Sequence, residues 1–264
     1  MSHTFDLQKA ARDAVGKYIR NHSAAVFQFT SADELYVGSA ICVEIADRFF
    51  IASAAHNFDV EKRGGKAITF SVNRSLDTPL KIVAQNCGTS SNPGIPDLAW
   101  LEVDPTSAAE SSLSGIPLRF IESRHTLELN GHYTIVGLPS ELSEITGTAN
   151  DRTIIGTLVF YHTIQIAAVS AADDNLLLDY SASALGDQGV VTNPHPEGMS
   201  GGGIWYIPAM NLSEVWSPAR YRIVGIVTQF LPVSRRIIGL RMHLWLKLVS
   251  DDHPELRELI APLL

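Results

Sequence analysis

The 264-residue sequence is poor in cysteine and contains no long apolar segment. Its two cysteines, Cys42 and Cys87, do not form a C-x-x-C pair, which excludes the common zinc and dithiol motifs. We expect both to be small buried side chains with free thiols. No apolar run reaches the roughly 18 residues of a transmembrane helix, and the N-terminus lacks the basic and apolar regions of a signal peptide. These absences predict a cytoplasmic protein that contacts no membrane.

Clustered charge is missing as well. Asp and Glu number 28 against 20 Lys and Arg, so the net charge is −8, and no run of like charges marks a tail. An acidic balance argues against nucleic acid as the main partner. The nine histidines show no metal-ligand spacing such as His-x-x-x-His, so we expect no metal and no cofactor.

The sequence does contain many short apolar segments separated by turn residues. This pattern is typical of small antiparallel β-barrels, so the chain is predicted to be all-β. Residues 1–22 are predicted to hold an N-terminal helix, because apolar residues recur at helical spacing over 4–20. Residues 23–105 would form a first barrel, 106–118 a linker rich in small polar residues, and 119–242 a second barrel. The tail 243–264 is predicted to be helical.

One stretch, Pro196–Gly203, places Ser200 between Gly198 and three glycines. Glycine allows positive φ angles and close approach of the backbone to a ligand. In such a turn the amide groups of Gly198 and Ser200 could point at one place, as an oxyanion hole requires. The alternative is a flexible Gly/Ser turn without chemistry.

The partners that a nucleophilic serine needs are also present. His56 follows the apolar run Phe49–Ala52, and Asp97 opens another apolar run. Histidine can take and return a proton near neutral pH, and a carboxylate can orient it. The nearby acidic residues Asp59, Glu102 and Asp104 are alternatives to Asp97.

Ala-Ala-His ending at His56, Asp-Leu-Ala-x-Leu beginning at Asp97, and Gly-x-Ser-Gly-Gly around Ser200 resemble the three signatures of trypsin-like serine peptidases. The resemblance covers roughly residues 25–250 and implies two antiparallel six-stranded β-barrels of the chymotrypsin type. It also implies a serine endopeptidase whose catalytic residues are His56, Asp97 and Ser200, which acts through an acyl-enzyme. Peptides or proteins would be its substrates.

The departures from the family are informative. In zymogen-activated members an aspartate precedes the serine, but here that residue is Met199. The chain therefore resembles the bacterial, non-zymogen branch, in which the oxyanion loop is held by other means or by an activating protein partner. A catalytically silent or partner-activated peptide-binding module is thus the alternative function. An α/β-hydrolase esterase fits less well, because the order Ser, Asp, His is absent.

The resemblance also assigns substrate-binding positions to Pro194, Thr228, Gln229 and Phe230. Phe230 stands where the family often has a glycine, which favours a small residue before the cleaved bond (P1). The loop Val233–Arg236 could instead supply positive charge for an acidic P1 residue, and both specificities stay open. His195 either lines the pocket mouth or is an exposed turn residue.

Overall fold

The computed structural model describes residues 16–29, 35–58, 68–72, 84–89, 96–110, 114–124, 132–142, 144–149, 152–157, 161–162, 168–171, 174–186, 189–208 and 220–264. Within these ranges the chain forms two large sheets, two small hairpins, and helices at both ends. Residues 16–20 are helical and are called α1.

The first sheet contains the histidine and aspartate segments. Its strands are β1 (Ser23–Phe29), β2 (Leu35–Ile45), β3 (Arg48–Ser53), β4 (Ile68–Val72), β5 (Ala84–Thr89), β6 (Ala99–Val103) and β7 (Ile116–Pro117). Six of them follow the order β4-β1-β2-β3-β6-β5, all antiparallel, while β7 pairs in parallel with β2. Ala46 and Asp47 turn the chain between β2 and β3 with positive φ angles of 52° and 61°.

The second sheet contains the serine segment. Its strands, in chain order, are β8 (His132–Gly137), β11 (Tyr161–His162), β12 (Ala168–Ala171), β13 (Asn175–Asp179), β16 (Gly203–Ile207), β17 (Arg222–Leu231) and β18 (Arg236–Arg241). Their spatial order is β11-β8-β16-β17-β18-β13-β12. Two hairpins stand apart: β9 (Glu144–Ala149) with β10 (Arg152–Thr157), and β14 (Ser183–Gly186) with β15 (Gly189–Thr192).

The largest apolar core lies between the two sheets. It includes Phe50 and Trp100 from the first sheet and Trp205 and Ile223 from the second, all at least 96% buried. A separate cluster fills each sheet's own interior. Burial of large aromatic side chains contributes about 1.5–3 kcal/mol each. This shared core fixes the two sheets against each other, which matters because the candidate site draws residues from both.

The C-terminal helices pack against the first sheet. Helix α3 (Met242–Asp252) follows β18 directly, and α4 (Arg257–Ile260) follows a short 3-10 turn at Pro254–Leu256. The indole N–H of Trp245 donates to the carbonyl of Ala99 at 3.0 Å, and that of Trp100 donates to Asp252 at 2.8 Å. Both bonds tie α3 to β6, the strand that follows Asp97.

A cluster of charged side chains around Arg48 also connects the C-terminal segment to the first sheet. The guanidinium of Arg48 donates to Glu102 and to Glu255, each at 2.6 Å. Arg48 also lies over the ring of Phe50, 5.3 Å from its centroid. The hydrogen bond from Arg48 lowers the pKa of Glu255 to about 2. The C-terminal segment is therefore held to β3 by a charge-assisted contact at the surface.

Several sequence-based expectations are refined by the structure. Two antiparallel β-structures with terminal helices are confirmed, but the described strands pair as two seven-stranded sheets and not as closed six-stranded barrels. The stretch predicted to be a linker contains helix α2 (Pro105–Glu110) and strand β7, and it buries Ala108 and Ile116. These contacts were not predicted, because the apolar residues that make them are isolated within a polar segment. The predicted helix over residues 4–15 and the predicted insertion Met210–Pro218 lie outside the described residues.

Cys42 meets the expectation of a free, fully buried thiol, and burial raises its pKa. The side chain of Cys87 lies outside the described residues. None of the described helices is long and apolar enough to span a membrane.

We predict that Glu255→Gln lowers the stability of the fold at neutral pH but not at strongly acidic pH. The folded pKa of Glu255 is about 2 against an ordinary value of 4.5, so its charge stabilises the fold above pH 4.5. This contribution should disappear as the pH falls from 4.5 towards 2. Urea denaturation of both proteins across this range measures the difference. An offset independent of pH would contradict the ion pair with Arg48.

Candidate active site

The ladder between β3 and β6 brings the predicted histidine and aspartate together. Ser53, the last residue of β3, pairs with Ala99, the first residue of β6. His56 lies just beyond β3, in the 3-10 turn Ala55–Phe58, and Asp97 lies just before β6. Because the strands are antiparallel, the end of one meets the start of the other. The two side chains therefore project from the same corner of the sheet.

His56 and Asp97 make a two-point contact. The Nδ1 atom of His56 lies 2.6 Å from Oδ2 of Asp97, and the His56 amide donates to Oδ1 at 3.0 Å. Both side chains are accessible, with 34% and 41% of their surfaces exposed. Burial raises the pKa of Asp97, but hydrogen bonds from His56 and the Ala55 amide, with the charge of His56, outweigh it and hold the pKa below its usual range. Asp97 is thus an ionised acceptor that orients the imidazole.

Ser200 lies in the loop between β15 and β16, which we call the serine loop (residues 193–202). Its hydroxyl donates to the carbonyl of Thr228 at 3.3 Å. Within the described part of the chain, no hydrogen bond joins Ser200 to His56. The hydroxyl therefore rests against β17 in this state, while His56 and Asp97 are already paired.

The turn before Ser200 has a defined shape. The amide of Met199 donates to the carbonyl of Pro196 at 3.0 Å, and Gly198 has a φ angle of +87°. This combination is a type II β-turn, which needs glycine at its third position. A side chain at Gly198 would also come within 2.5 Å of the carbonyl oxygen of Leu138. Only glycine fits this position.

The orientation of the peptide between Glu197 and Gly198 follows from the same turn. The carbonyl of Glu197 accepts from the amide of Ser140 at 2.8 Å. In a trans peptide the N–H points opposite to the C=O, so the Gly198 amide points away from Ser140. Neither the Gly198 nor the Ser200 amide has an acceptor among the residues that the structure describes.

A buried polar bridge from the first sheet holds the serine loop. We use "polar bridge" for the side chains of Ser39, Ser53 and Asn57, which are at least 99% buried. The Ser39 hydroxyl donates to the carbonyl of Gly198 at 2.7 Å, and its amide donates to the carbonyl of Ser200 at 2.9 Å. The same hydroxyl accepts from the Leu138 amide at 2.7 Å. One residue of β2 therefore holds the backbone on both sides of Met199.

Asn57 completes the polar bridge. Its side-chain amide donates to the carbonyl of Ser200 at 2.8 Å and to the hydroxyl of Ser53 at 2.9 Å. Ser53 in turn donates to the carbonyl of Ser39 at 2.6 Å. A Cβ atom on Gly38 would come within 2.8 Å of the Asn57 side chain, so glycine gives Asn57 its room. The residue after His56 thus bonds directly to the backbone of Ser200.

Met199 is fully buried beneath the serine loop. The hydroxyl of Tyr180, itself fully buried, donates to the carbonyl of Pro194 at 2.9 Å and lies 3.7 Å from the Met199 sulfur. Apolar packing therefore occupies the place beside Ser200 where zymogen-activated peptidases would have an acidic residue.

The end of β17 presents a free edge next to Ser200. Strand β16 pairs with β17 only as far as Ile226, and the loop adds contacts between Gly201, Gly202 and Val227. Beyond Val227 the ladder with β18 has a register shift at Thr228, and in the described structure Gln229 and Phe230 pair with β18 alone. The carbonyl of Thr228 faces the serine, so this edge lies along the candidate site.

Sequence reasoning identified His56, Asp97, Gly198 and Ser200, and the structure places each at one junction between the sheets. It missed Ser39, Asn57 and Tyr180. The polarity of Ser39 and Asn57 inside apolar runs was the available signal, because a buried polar side chain needs partners. Of the rival carboxylates, Glu102 binds Arg48 and Asp104 caps Ser107, while Asp59 lies outside the described residues.

No family model matches the chain, and no curated protein matches its sequence. Solved structures do match. A serine endoprotease from Yersinia pestis superposes with a TM-score of 0.56 at 15% identity, covering 91% of this chain and 67% of the other. The fold is that of the trypsin-like serine proteases. The thermostable serine protease AL20 from an extremophilic microorganism gives 0.52 at 14% identity, covering 84% and 91%. Human heparin binding protein gives 0.53 at 13% identity, covering 90% and 92%.

Likeness at this level of identity concerns the fold alone. Among the described residues no group of three metal-ligating side chains is close enough to hold an ion.

We predict that Asn57→Leu destabilises the fold by about 1–3 kcal/mol, because the buried Ser200 carbonyl and Ser53 hydroxyl lose a partner. Asn175→Leu is the matched control, since Asn175 is exposed on β13 and its substitution should change stability by less than about 0.5 kcal/mol. Urea denaturation measures both variants. Equal stabilities of the two would show that the polar bridge does not hold the loop.

Proposed function

We propose that this protein is a serine endopeptidase that hydrolyses peptide bonds through Ser200, His56 and Asp97. The observation that carries the proposal is the two-point contact of His56 with an ionised Asp97, located beside a serine whose loop is fixed from the same sheet. A histidine oriented in this way is ready to act as a general base.

The first half of the reaction acylates the serine. The Ser200 hydroxyl, which donates to the Thr228 carbonyl at rest, would donate to Nε2 of His56 in the reaction. His56 takes the hydroxyl proton as Oγ attacks the substrate carbonyl carbon. The tetrahedral intermediate then expels the amine, which receives the same proton from His56. Asp97 keeps the proton on Nδ1 and stabilises the imidazolium.

The second half releases the acyl group. Water donates a proton to His56 and attacks the acyl carbon, and the proton returns to Ser200 as the ester bond breaks. In both halves the developing oxyanion would lie between the amides of Gly198 and Ser200. Their lack of acceptors among the described residues supports this role, and each such donor contributes about 3–4 kcal/mol to transition-state stabilisation.

The substrate backbone would pair with the free edge of β17. The register shift between Val227 and Gln229 turns the Thr228 carbonyl towards Ser200, on the side where the substrate would bind. A peptide added along Thr228, Gln229 and Phe230 would bring its carbonyl group to Ser200. Pro194 and the rest of the serine loop would form the opposite side of the binding site.

No proteolytic activation is needed in this proposal. Met199 cannot pair with a new N-terminal amine, but the polar bridge already binds the backbone at Gly198 and Ser200. The type II turn at Gly198 likewise orients the amide without an ion pair.

A second function has one observation in its favour. Because the Ser200 hydroxyl rests on Thr228 and makes no bond to His56 in the described structure, the chain could be a peptide-binding module that is silent until a protein partner binds. Such a module would bind peptides along β17 without hydrolysing them.

We predict that the intact protein reacts with a fluorophosphonate probe at Ser200. The serine oxygen bonds to phosphorus and fluoride leaves, which needs the same base and oxyanion donors as peptide hydrolysis. Ser200→Ala should abolish labelling and lower peptide turnover by on the order of 10⁶-fold. Mass spectrometry of the labelled peptide identifies the site. Labelling that depends on a partner protein would favour the silent module instead.

We further predict that Asp97→Asn lowers turnover on the order of 10⁴-fold while the fold stays intact, because an amide favours the wrong tautomer of His56. Asp104→Asn is the matched control, since Asp104 only caps the amide of Ser107. Turnover with a peptide substrate and circular dichroism measure activity and folding. Full activity of Asp97→Asn would mean that another group orients His56.

A further inference from the structure

We propose that the pocket for the P1 side chain is closed by contacts among Tyr180, His195 and Phe230, so that the enzyme cleaves after small uncharged residues such as glycine, alanine and serine. The inference rests on the proposed peptidase function and names its substrate class. We call these three side chains the aromatic cluster.

The position of the pocket follows from the site geometry. A substrate that places its carbonyl carbon at Ser200 and its backbone along β17 has its P1 side chain between two walls. One wall is Thr228–Phe230, which lies beside Ser200 because the Ser200 hydroxyl donates to the Thr228 carbonyl at 3.3 Å. The other is the first part of the serine loop, residues 193–197, which leads to Gly198.

Aromatic side chains connect the two walls. The ring of His195 meets that of Phe230 edge to face, with centroids 5.7 Å apart and planes at 84°. Tyr180 meets the same phenyl ring at 6.0 Å and 75°. Edge-to-face rings at these distances are in van der Waals contact. Phe230 therefore lies between the walls, in contact with a ring on either side.

The rings are held by the backbone around them. The Tyr180 hydroxyl bonds to the carbonyl of Pro194, and the amide of His195 donates to Glu141 at 2.8 Å. The amide of Glu197 donates to Nδ1 of His195 at 3.3 Å, which fixes the imidazole ring. Moving the His195 ring aside for a large P1 residue would break its bond to Glu197 as well as the ring packing, and moving Phe230 would break its packing against both rings.

The charges near the pocket argue against an acidic P1 residue. Neither wall contains a lysine or arginine, and Glu141 and Glu197 lie at the serine-loop wall. Arg235 and Arg236 lie beyond the walls, at the tip of the β17–β18 hairpin, where Arg236 pairs with Leu231 and Asp179. Of the two specificities that the sequence left open, the structure favours the small uncharged residue.

The test uses peptidyl diphenyl phosphonates that differ only in P1, with alanine, phenylalanine, glutamate or lysine side chains. Each transfers its phosphonyl group to the serine oxygen and loses phenoxide, so the rate of labelling reports the fit of P1. We expect the wild-type protein to react with the alanine probe at least about 100-fold faster than with the phenylalanine probe.

Phe230→Gly should open the pocket and reduce this ratio at least about tenfold, mainly by faster reaction with the phenylalanine probe. His195→Ala should act in the same direction and serves as the second variant if Phe230→Gly does not fold. Val233→Gly is the matched control, because Val233 is fully exposed in the same hairpin, and it should leave the ratio unchanged.

A fluorophosphonate without a P1 side chain distinguishes failure of the closed-pocket proposal from failure of the peptidase proposal. If it labels Ser200 but the phenylalanine or glutamate probe reacts as fast as the alanine probe in the wild type, the closed pocket is wrong and the peptidase proposal stands. The closed pocket is equally wrong if no peptidyl probe reacts, or if neither variant changes the ratio. Failure of the plain fluorophosphonate to label Ser200 would overturn both.

Discussion

The hydrogen bonds from Ser39 and Asn57 to the serine loop are the constraint on which the candidate site depends. They join the first sheet, which holds His56 and Asp97, to the backbone of Ser200 in the second sheet. These donors and acceptors are neutral, and the bond from Ser39 to Gly198 is buried, so water does not compete with it. Each bond contributes only about 1 kcal/mol net, but loss of the Ser39 hydroxyl would leave the buried Gly198 carbonyl without that donor, which costs more. The spacing between the His56 and Ser200 segments therefore depends on the packing of the two sheets.

The shared apolar core makes this constraint effective. Trp100 lies in the strand that follows Asp97, and Trp205 lies in the strand that follows Ser200. Both belong to the one core cluster between the sheets, and Trp100 also bonds to helix α3 through Asp252. A shift of one sheet relative to the other would disturb this packing and the polar bridge together. Helix α3 thus packs against β6, the strand that follows Asp97, and lies outside the candidate site.

The candidate site residues could be predicted from the sequence because each lies in a short, specific pattern beside a strand: His56 follows β3, Asp97 precedes β6 and Ser200 precedes β16. His56, Asp97 and Ser200 each lie within a few residues of an apolar strand, so their neighbours indicate their place. The pairing of the described strands and the burial of Ala108 and Ile116 could not be predicted, because both depend on contacts with residues distant in the sequence. Ser39 and Asn57 were missed for a similar reason. Their partners are 159 and 143 residues away, and no local pattern encodes such a bond.

The neutral polar bridge has a consequence for how activity could be controlled. In a loop held by an ion pair, removing one charge collapses the site, so cleavage or a change of pH can act as a switch. Here the polar bridge that holds Gly198 and Ser200 consists of hydroxyl, amide and backbone groups that do not titrate near neutral pH, so folding itself shapes this part of the loop. Under the proposed function, control must then act on access to the site. The aromatic cluster lies between the serine loop and β17, where a substrate must enter, and its rings are less constrained than the buried bridge. Selectivity for small P1 residues and control of access would therefore depend on the same side chains, His195 and Phe230.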